Sequence, residues 1–361
     1  MDGIINIYKE KGFTSFDVVA KMRGILHMKK IGHTGTLDPD AEGVLPVCLG
    51  KATKLCSVFE EHEKTYRGVL MLGLVTDTQD LTGTVLEEHR EEAAAVTREQ
   101  VLEVLDRFRG NIMQVPPMYS ALKVDGKRLY EYARQGKVVE RKARPVTIYE
   151  LEAEEIDLPR VVLRVRCSKG TYIRTLCHDI GAALGCGGSM ESLVRIQVGR
   201  FHLDQAIKLG QLQELADAGQ AESVIMPLEE PLRIYPAFHS LEAFDVLLRN
   251  GARMRPDMIE METDSTGPDG GIGCTEQADA GAGAQTAFTE QETADTAGTP
   301  DSETTIAGAA GIEAADAGAA DAESQGGQDL LYRAYLSSGS FIGLYVYNED
   351  RGDYKPFKMF V

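Results

Sequence analysis

Apolar positions follow two different periods along the first 230 residues. Thr97 followed three positions later by Gln100 forms a capping box, and Val101, Val104, Leu105 and Phe108 then recur at helical spacing until Gly110 ends the run. A second amphipathic helix is predicted over Phe16 to Leu26, opened by Ser15, with Val18, Val19, Met22 and Ile25 inward and Lys21 and Arg23 on its flank. A third carries Ile173, Leu176, Ile180 and Leu184 and is closed by Gly185. Strict alternation takes over at Val161, Leu163, Val165 and Cys167, which are interleaved with Val162, Arg164 and Arg166, and Tyr66 to Leu74 reads as another strand. Strands and helices mix without a regular βαβ rhythm, so the expected fold class is α+β with a largely antiparallel mixed sheet. There is no internal repeat, no GxGxxG and no Walker loop.

Both periods vanish from Asp257 to Asp329, a stretch dominated by Ala, Gly, Thr, Asp and Glu with Phe288 as its only aromatic residue. Such a segment cannot bury enough apolar surface to offset about 1–2 kcal/mol of backbone entropy per residue, and disorder is expected over 257–329. Short β-prone runs then resume, separated by Ser-Gly and Asn-Glu-Asp-Arg-Gly turns, so a small β module is split by an insertion.

Charge matters through its distribution. The formal net charge is −18, but residues 257–329 hold 17 acids and no Lys or Arg, which leaves the other 288 residues at −1. Within that nearly neutral body, Lys123 to Arg144 carries eight basic residues against three acids, so a polyanionic partner stays open. The six cysteines show neither CxxC nor paired Cys/His spacing, which favours reduced, mostly buried thiols and no structural metal. No apolar run approaches the ~18 residues of a membrane span, and Asp2, Lys9 and Glu10 interrupt any secretory signal. A soluble, cytoplasmic protein is expected.

Three stretches could carry chemistry. Ile31 to Pro46 packs Gly32, Gly35 and Gly43 around His33, Asp38, Asp40 and Glu42, a loop able to present a carboxylate, although Asp38-Pro39 also suits a simple turn. Ser168 to Thr175 lies where a strand becomes a helix. Its Arg174 falls in the first helical turn, where the macrodipole disfavours a cation, so an anionic partner such as Asp38 is expected; a solvated surface arginine is the alternative. Tyr119 to Arg144 interleaves Tyr119, Tyr130 and Tyr132 with a net charge of +5, which suits structured RNA, whose phosphates bind cations and whose unpaired bases stack on rings, or else an ordinary solvated helix.

At these residues the sequence resembles the bacterial tRNA pseudouridine synthase B (TruB) family. The resemblance is carried by GHTGTLDPDAEGVLPV, by KTY at 64–66, TDTQD at 76–80, MYSALKVDGKRLYEYARQG at 118–136 and CSKGTYIRTLCHDIG at 167–181, and it spans roughly residues 1–230. It implies a pseudouridine synthase fold over 1–230 and, more weakly, a PUA-type RNA-binding module formed by 231–256 together with 330–361. The implied activity is isomerisation of uridine to pseudouridine at position 55 in the T loop of tRNA, by a monomer that uses no cofactor. Asp38 matches the family's catalytic aspartate, Arg174 the arginine that pairs with it, and Tyr66 the tyrosine that stacks on the target base and helps move its C5 proton. Leu193 matches an apolar residue of the pocket, and His33 the histidine that fills the space left by the flipped base. Lys64, Asp80 and Tyr172 match positions assigned to support and substrate contact. Two rivals differ in kind. A catalytically silent RNA binder has no need of Asp38, and a glycosidase using the acids of 38–42 as an acid/base pair has no need of the RNA-facing stretch.

Overall fold

The computed structural model describes residues 1–124, 126–262 and 330–361. Nine strands form one sheet. Its main path runs Gly3–Lys9, Glu42–Leu49, Gly188–Val198, Lys64–Leu72, Arg160–Cys167, Arg144–Asp157, Gly110–Gln114, with Ile31–His33 and Phe201–His202 attached at Glu42–Leu49 and Gly188–Val198. Only the contact between Glu42–Leu49 and Gly188–Val198 is parallel, so the sheet is mixed and largely antiparallel, as the patterning implied. That parallel contact is short and close. Gly43 sits opposite Arg195 at φ +105°, where a Cβ would collide with the Arg195 carbonyl, so only glycine lets the two strands meet.

The alternation over Arg160–Cys167 buries Val161, Leu163, Val165 and Cys167 against two helices, Arg98–Arg107 and Ile173–Ala183. Thr97 and Gln100 form the reciprocal capping box, and Val101, Val104 and Leu105 face the core. Helix Ser15–Ile25 covers a second cluster with Val18, Val19 and Met22. Its cap differs from the expectation: Thr14, boxed with Asp17, terminates the helix, whereas Ser15 is buried and its hydroxyl accepts from the Leu37 amide at 2.9 Å. Phe16, placed by the periodicity at the helix start, is 64% exposed with the Arg23 guanidinium 6.0 Å from its ring. The Tyr66–Leu74 strand starts earlier, at Lys64, and is broken at Gly73, whose φ of +85° redirects the chain into Leu74–Thr76.

A second sheet of five strands has the order Ile259–Met261, Ala237–Ser240, Leu331–Tyr335, Phe341–Asn348, Asp353–Met359. Leu344 of this sheet and Phe360, just past its last strand, share a core with Ile4, Val44 and Phe201 of the large sheet and with Phe59 of the short helix Cys56–Glu60. The expected boundary at Asp257 is corrected here. Residues 257–262 are ordered, with Met258 buried and Ile259–Met261 paired antiparallel to Ala237–Ser240, because three apolar residues in five positions suffice for an edge strand even beside acids. The rest of the acidic segment, 263–329, lies outside the described residues, as does Cys274; the other five cysteines are free, four of them buried.

Removing the Arg98–Arg107 helix's hold on the sheet tests this packing. Leu105→Ala is expected to cost about 2–5 kcal/mol in chemical unfolding, and Thr97→Ala about 1 kcal/mol. Equal losses for the two would contradict a core seat for Leu105.

Candidate active site

Asp38 projects from a loop held at almost every residue. Thr34 donates through its amide and its hydroxyl to the Pro46 carbonyl, each at 3.2 Å, and Leu37 is tied to Ser15. The Asp38 carbonyl accepts from the Ala41 amide at 3.1 Å, and the Pro39 carbonyl from the Gly12 amide at 2.9 Å. Beneath the loop Lys9 is 0% exposed, and its ammonium donates to the carbonyls of Ala41 at 2.6 Å, Pro39 at 3.0 Å and Glu10 at 3.3 Å. Burial pushes this ammonium down to about 8. Lys9 therefore works as an internal clamp, replacing water as the donor to carbonyls that have no strand partner.

Opposite, Arg174 enters from the first turn of Ile173–Ala183. Its Nε lies 2.9 Å from Asp38 Oδ2, and its Nη2 donates to Asp38 Oδ1 at 3.3 Å, a forked pair. The remaining donors are spent on the Thr78 carbonyl at 3.0 Å and the Tyr119 carbonyl at 2.8 Å, and Asp80 Oδ2 stands 3.7 Å from Nη1. Asp80 is fixed in turn by the Thr78 hydroxyl, the Thr82 amide and the Thr82 hydroxyl at 2.8, 3.0 and 2.5 Å. The two sides of the pair differ in exposure: the Arg174 side chain is 6% exposed, that of Asp38 41%. The cation is thus part of the framework, and the carboxylate is the face shown to a ligand. Burial raises the Asp38 carboxyl above its ordinary value; Arg174 pulls the other way, and the nearby Asp80 adds to the rise.

The pair borders a cleft of about 490 Å³ lined by Asp38, Arg174, Tyr66, Leu193, Lys64 and Tyr172, among others. That volume suits a small ligand or a single extruded residue. Tyr66 and Leu193 come from adjacent strands on the cleft's sheet side, Tyr66 opposite Arg195 and Leu193 opposite Gly68. Gly68 leaves room for the Leu193 side chain, whose Cδ1 lies 3.3 Å from where a Cβ would stand. Tyr66 is buried, which raises its phenol, with Arg195 acting against the rise. Lys64 is buried and donates to the Glu60 carbonyl; desolvation brings its ammonium down to about 8. Tyr172 caps the Arg174 helix and exchanges backbone hydrogen bonds with the Gln114 amide group at 2.8 and 3.1 Å.

Six of the residues singled out from the sequence, Asp38, Lys64, Tyr66, Tyr172, Arg174 and Leu193, therefore meet at one cleft. Asp80 is not on its lining and reaches it through Arg174. His33 is also off the lining. It ends the Ile31–His33 strand, half-buried, with Nδ1 accepting from the Gly35 amide at 3.3 Å, and burial lowers its pKa. The basic stretch 119–144 is only partly free. Tyr130 is flanked by Arg128 and Arg134, 5.9 and 5.4 Å from its ring centre, and Leu129 is buried. Sequence reasoning missed Lys9 and Arg195, although each left a trace: a lysine closing a mostly apolar strand, and an arginine two residues beyond Leu193, on the same strand face.

Known proteins share this sequence and fold. Residues 23–173 match the family model described as TruB family pseudouridylate synthase (N terminal domain), and 174–233 match the tRNA pseudouridylate synthase B C-terminal domain. The chain is similar to the tRNA pseudouridine synthase B of Clostridium perfringens (strain SM101 / Type A), 51% identical over 255 residues that cover 70% of this chain and 85% of the relative. It is equally similar to that of Lachnoclostridium phytofermentans, 51% identical over 270 residues covering 73% and 87%. A chain in the crystal structure of a Cbf5-Nop10-Gar1 complex shares the fold, with a TM-score of 0.64 and 23% identity over 99% of this chain and 85% of that one. The family matches and the relatives show that the chain belongs to the TruB family of pseudouridine synthases, enzymes that isomerise uridine to pseudouridine.

Proposed function

We propose that this enzyme isomerises the uridine at position 55 in the T loop of tRNA, with Asp38 as the catalytic carboxylate. The observation that carries the reading is the forked ion pair between Asp38 and Arg174 at a cleft walled by Tyr66 and Leu193. A uridine in a folded T loop must leave its stack to enter such a cleft, at a cost of a few kcal/mol. His33, five residues before Asp38 on the same tethered segment, fills the space the base vacates; the lowered pKa keeps its ring neutral and suited to stacking.

In the cleft the N1–C1′ bond breaks, the uracil turns, and C5 joins C1′ while C5 loses a proton and N1 gains one. The exchange is redox-neutral and needs neither cofactor nor metal. Asp38 assists departure of the base either by attack on the nucleoside or by taking a sugar proton, and the ionised form is required for both. Arg174 keeps that form available in a partly desolvated site, Asp80 keeps Arg174 in place, and Tyr66 and Leu193 hold the base between them. Lys64 and Tyr172 line the wall where the substrate's sugar–phosphate backbone passes. Residues 231–262 with 330–361 act as the PUA-type RNA-binding module, and the enzyme works as a cytoplasmic monomer.

With unmodified tRNA tritiated at uracil C5, the wild type should release label and Asp38→Asn should not; release by both would show that Asp38 is misassigned. The acid limb of the single-turnover rate follows protonation of Asp38. Because Arg174 opposes the rise caused by burial, Arg174→Met should move that limb to higher pH, and an unmoved limb would remove Arg174 from this role. Lys9 touches no substrate in this scheme. Lys9→Met should lower turnover about 10–100-fold through misplacement of the Asp38 loop, with tRNA affinity unchanged in filter binding; normal turnover would contradict the clamp.

A further inference from the structure

Among the described residues only two other than glycine hold the left-handed backbone conformation, His27 at φ +50° and Gln79 at φ +64°. His27 follows the C-cap of Ser15–Ile25, where that conformation is an ordinary way to end a helix. Gln79 ends no helix. It closes the turn that follows Leu74–Thr76, its amide donating to the Thr76 carbonyl at 3.3 Å. In this conformation a Cβ crowds the carbonyl that follows it, so the surroundings must impose it, and residues held this way gather where function needs them.

The contacts around Gln79 show what imposes it and what it serves. The carbonyls on either side of its Cα go to different elements: that of Thr78 accepts from Arg174 Nη1 at 3.0 Å, and that of Gln79 from the Met190 amide at 3.0 Å. The Leu81 amide donates back to the Met190 carbonyl at 3.0 Å, so the strand Gly188–Val198 grips the turn on both sides of Asp80. The Gln79 side chain turns elsewhere. Its amide oxygen accepts from the Thr175 hydroxyl at 2.7 Å, and Thr175, 2% exposed, follows Arg174 in the first turn of Ile173–Ala183. Gln79 therefore holds the arginine's helix with its side chain and aims a carbonyl at the arginine with its backbone. That carbonyl matters because Nε and Nη2 of Arg174 go to Asp38, whereas Nη1 has the Thr78 carbonyl within hydrogen-bond distance and Asp80 only at 3.7 Å.

We propose that Gln79 is a positioning residue for Arg174: its left-handed backbone presents the Thr78 carbonyl to the guanidinium, and its side chain ties that turn to the helix that carries the arginine. The inference rests on the reading of the cleft as the uracil site, in which an ionised Asp38 acts on the nucleoside. Gln79 itself is not on the cleft lining, so it acts through Arg174 alone. Were residue 79 to leave the left-handed region, the Thr78 carbonyl would swing away and Nη1 would lose its acceptor. The planar fork could then rotate off the two carboxylate oxygens. The charged groups that bear on Asp38 are Arg174, Asp80 and Lys9, and the opposing pull of Arg174 exceeds the push of Asp80 on the same turn. A displaced guanidinium thus leaves burial less opposed, and the carboxyl takes up its proton at higher pH.

The test is the pH profile of single-turnover pseudouridine formation on unmodified tRNA, with tRNA affinity from filter binding, for wild type, Gln79→Val, Gln79→Gly and Thr175→Val. Valine and glycine both remove the side-chain amide but differ in the backbone, since a β-branched residue resists the left-handed region and glycine enters it freely. Gln79→Val is expected to slow the reaction about 10–100-fold, the scale of a misplaced catalytic group, with its acid limb moved to higher pH and its tRNA affinity unchanged. Gln79→Gly should recover about tenfold of a hundredfold loss and bring the limb back towards that of the wild type, because the Thr78 carbonyl is again in place. A Gln79→Val chain with an unmoved limb assigns the turn to stability alone and overturns the proposal, and so does Gln79→Gly if it is as slow as Gln79→Val. If Gln79→Val does not fold, Thr175→Val, which removes only the hydroxyl that Gln79 holds, should shift the limb in the same direction by a smaller amount; an unmoved limb there overturns the proposal equally. A wild-type chain that forms no pseudouridine overturns the uracil-site reading and this inference with it, whereas an active wild type beside an unmoved Gln79→Val overturns this inference alone.

Discussion

The site depends on one carboxylate held by one guanidinium in unequal surroundings. Arg174 is immersed in protein and fully engaged, whereas Asp38 keeps part of its surface toward the cleft. Such a pair is worth little as glue, because burying the arginine costs much of what the attraction returns. Its value is geometric. A planar fork with two contacts fixes the carboxylate's orientation, which a lysine's point charge could not do. Everything around it preserves that orientation: Asp80 and two backbone carbonyls from behind, and Lys9 and Ser15 from beneath the loop.

The fold supplies the partners from widely separated parts of the chain. Asp38 stands between the first strands, Tyr66 and Leu193 lie on neighbouring strands at the centre of the sheet, and Arg174 opens a helix that packs on the same sheet. The short parallel contact at Gly43 and Arg195 ties the Asp38 side of the molecule to the Tyr66 side. A glycine with positive φ at a strand crossing is thus as much a part of the active site as the groups that line it.

Much of this was legible in the sequence, for identifiable reasons. Asp38 and Arg174 stood out because ionisable groups in a glycine-rich loop, and a cation at the wrong end of a helix dipole, each call for a partner. The alternation over Val161–Cys167 gave the central strand because one face is buried throughout. Lys9 and Arg195 escaped because strand alternation assigns faces but cannot tell a core face from one that backs a loop, as at Lys9, or floors a cleft, as at Arg195; a charge on such a face is informative only once that neighbour is known. Ser15 was read as a cap because its local context suits one, while its real partner, Leu37, is 22 residues away. The strand at Ile259–Met261 was hidden by composition, since its apolar residues adjoin a long acidic run and its pairing partner lies outside any local window.

The most direct measurement is a crystal structure of the enzyme with a T-arm RNA hairpin carrying 5-fluorouridine at the target position. The account predicts the fluorinated base out of the RNA stack, in the cleft between Tyr66 and Leu193, with its ribose beside the Asp38 carboxylate. A base still stacked in the RNA, or bound away from Asp38, Tyr66 and Arg174, would contradict it.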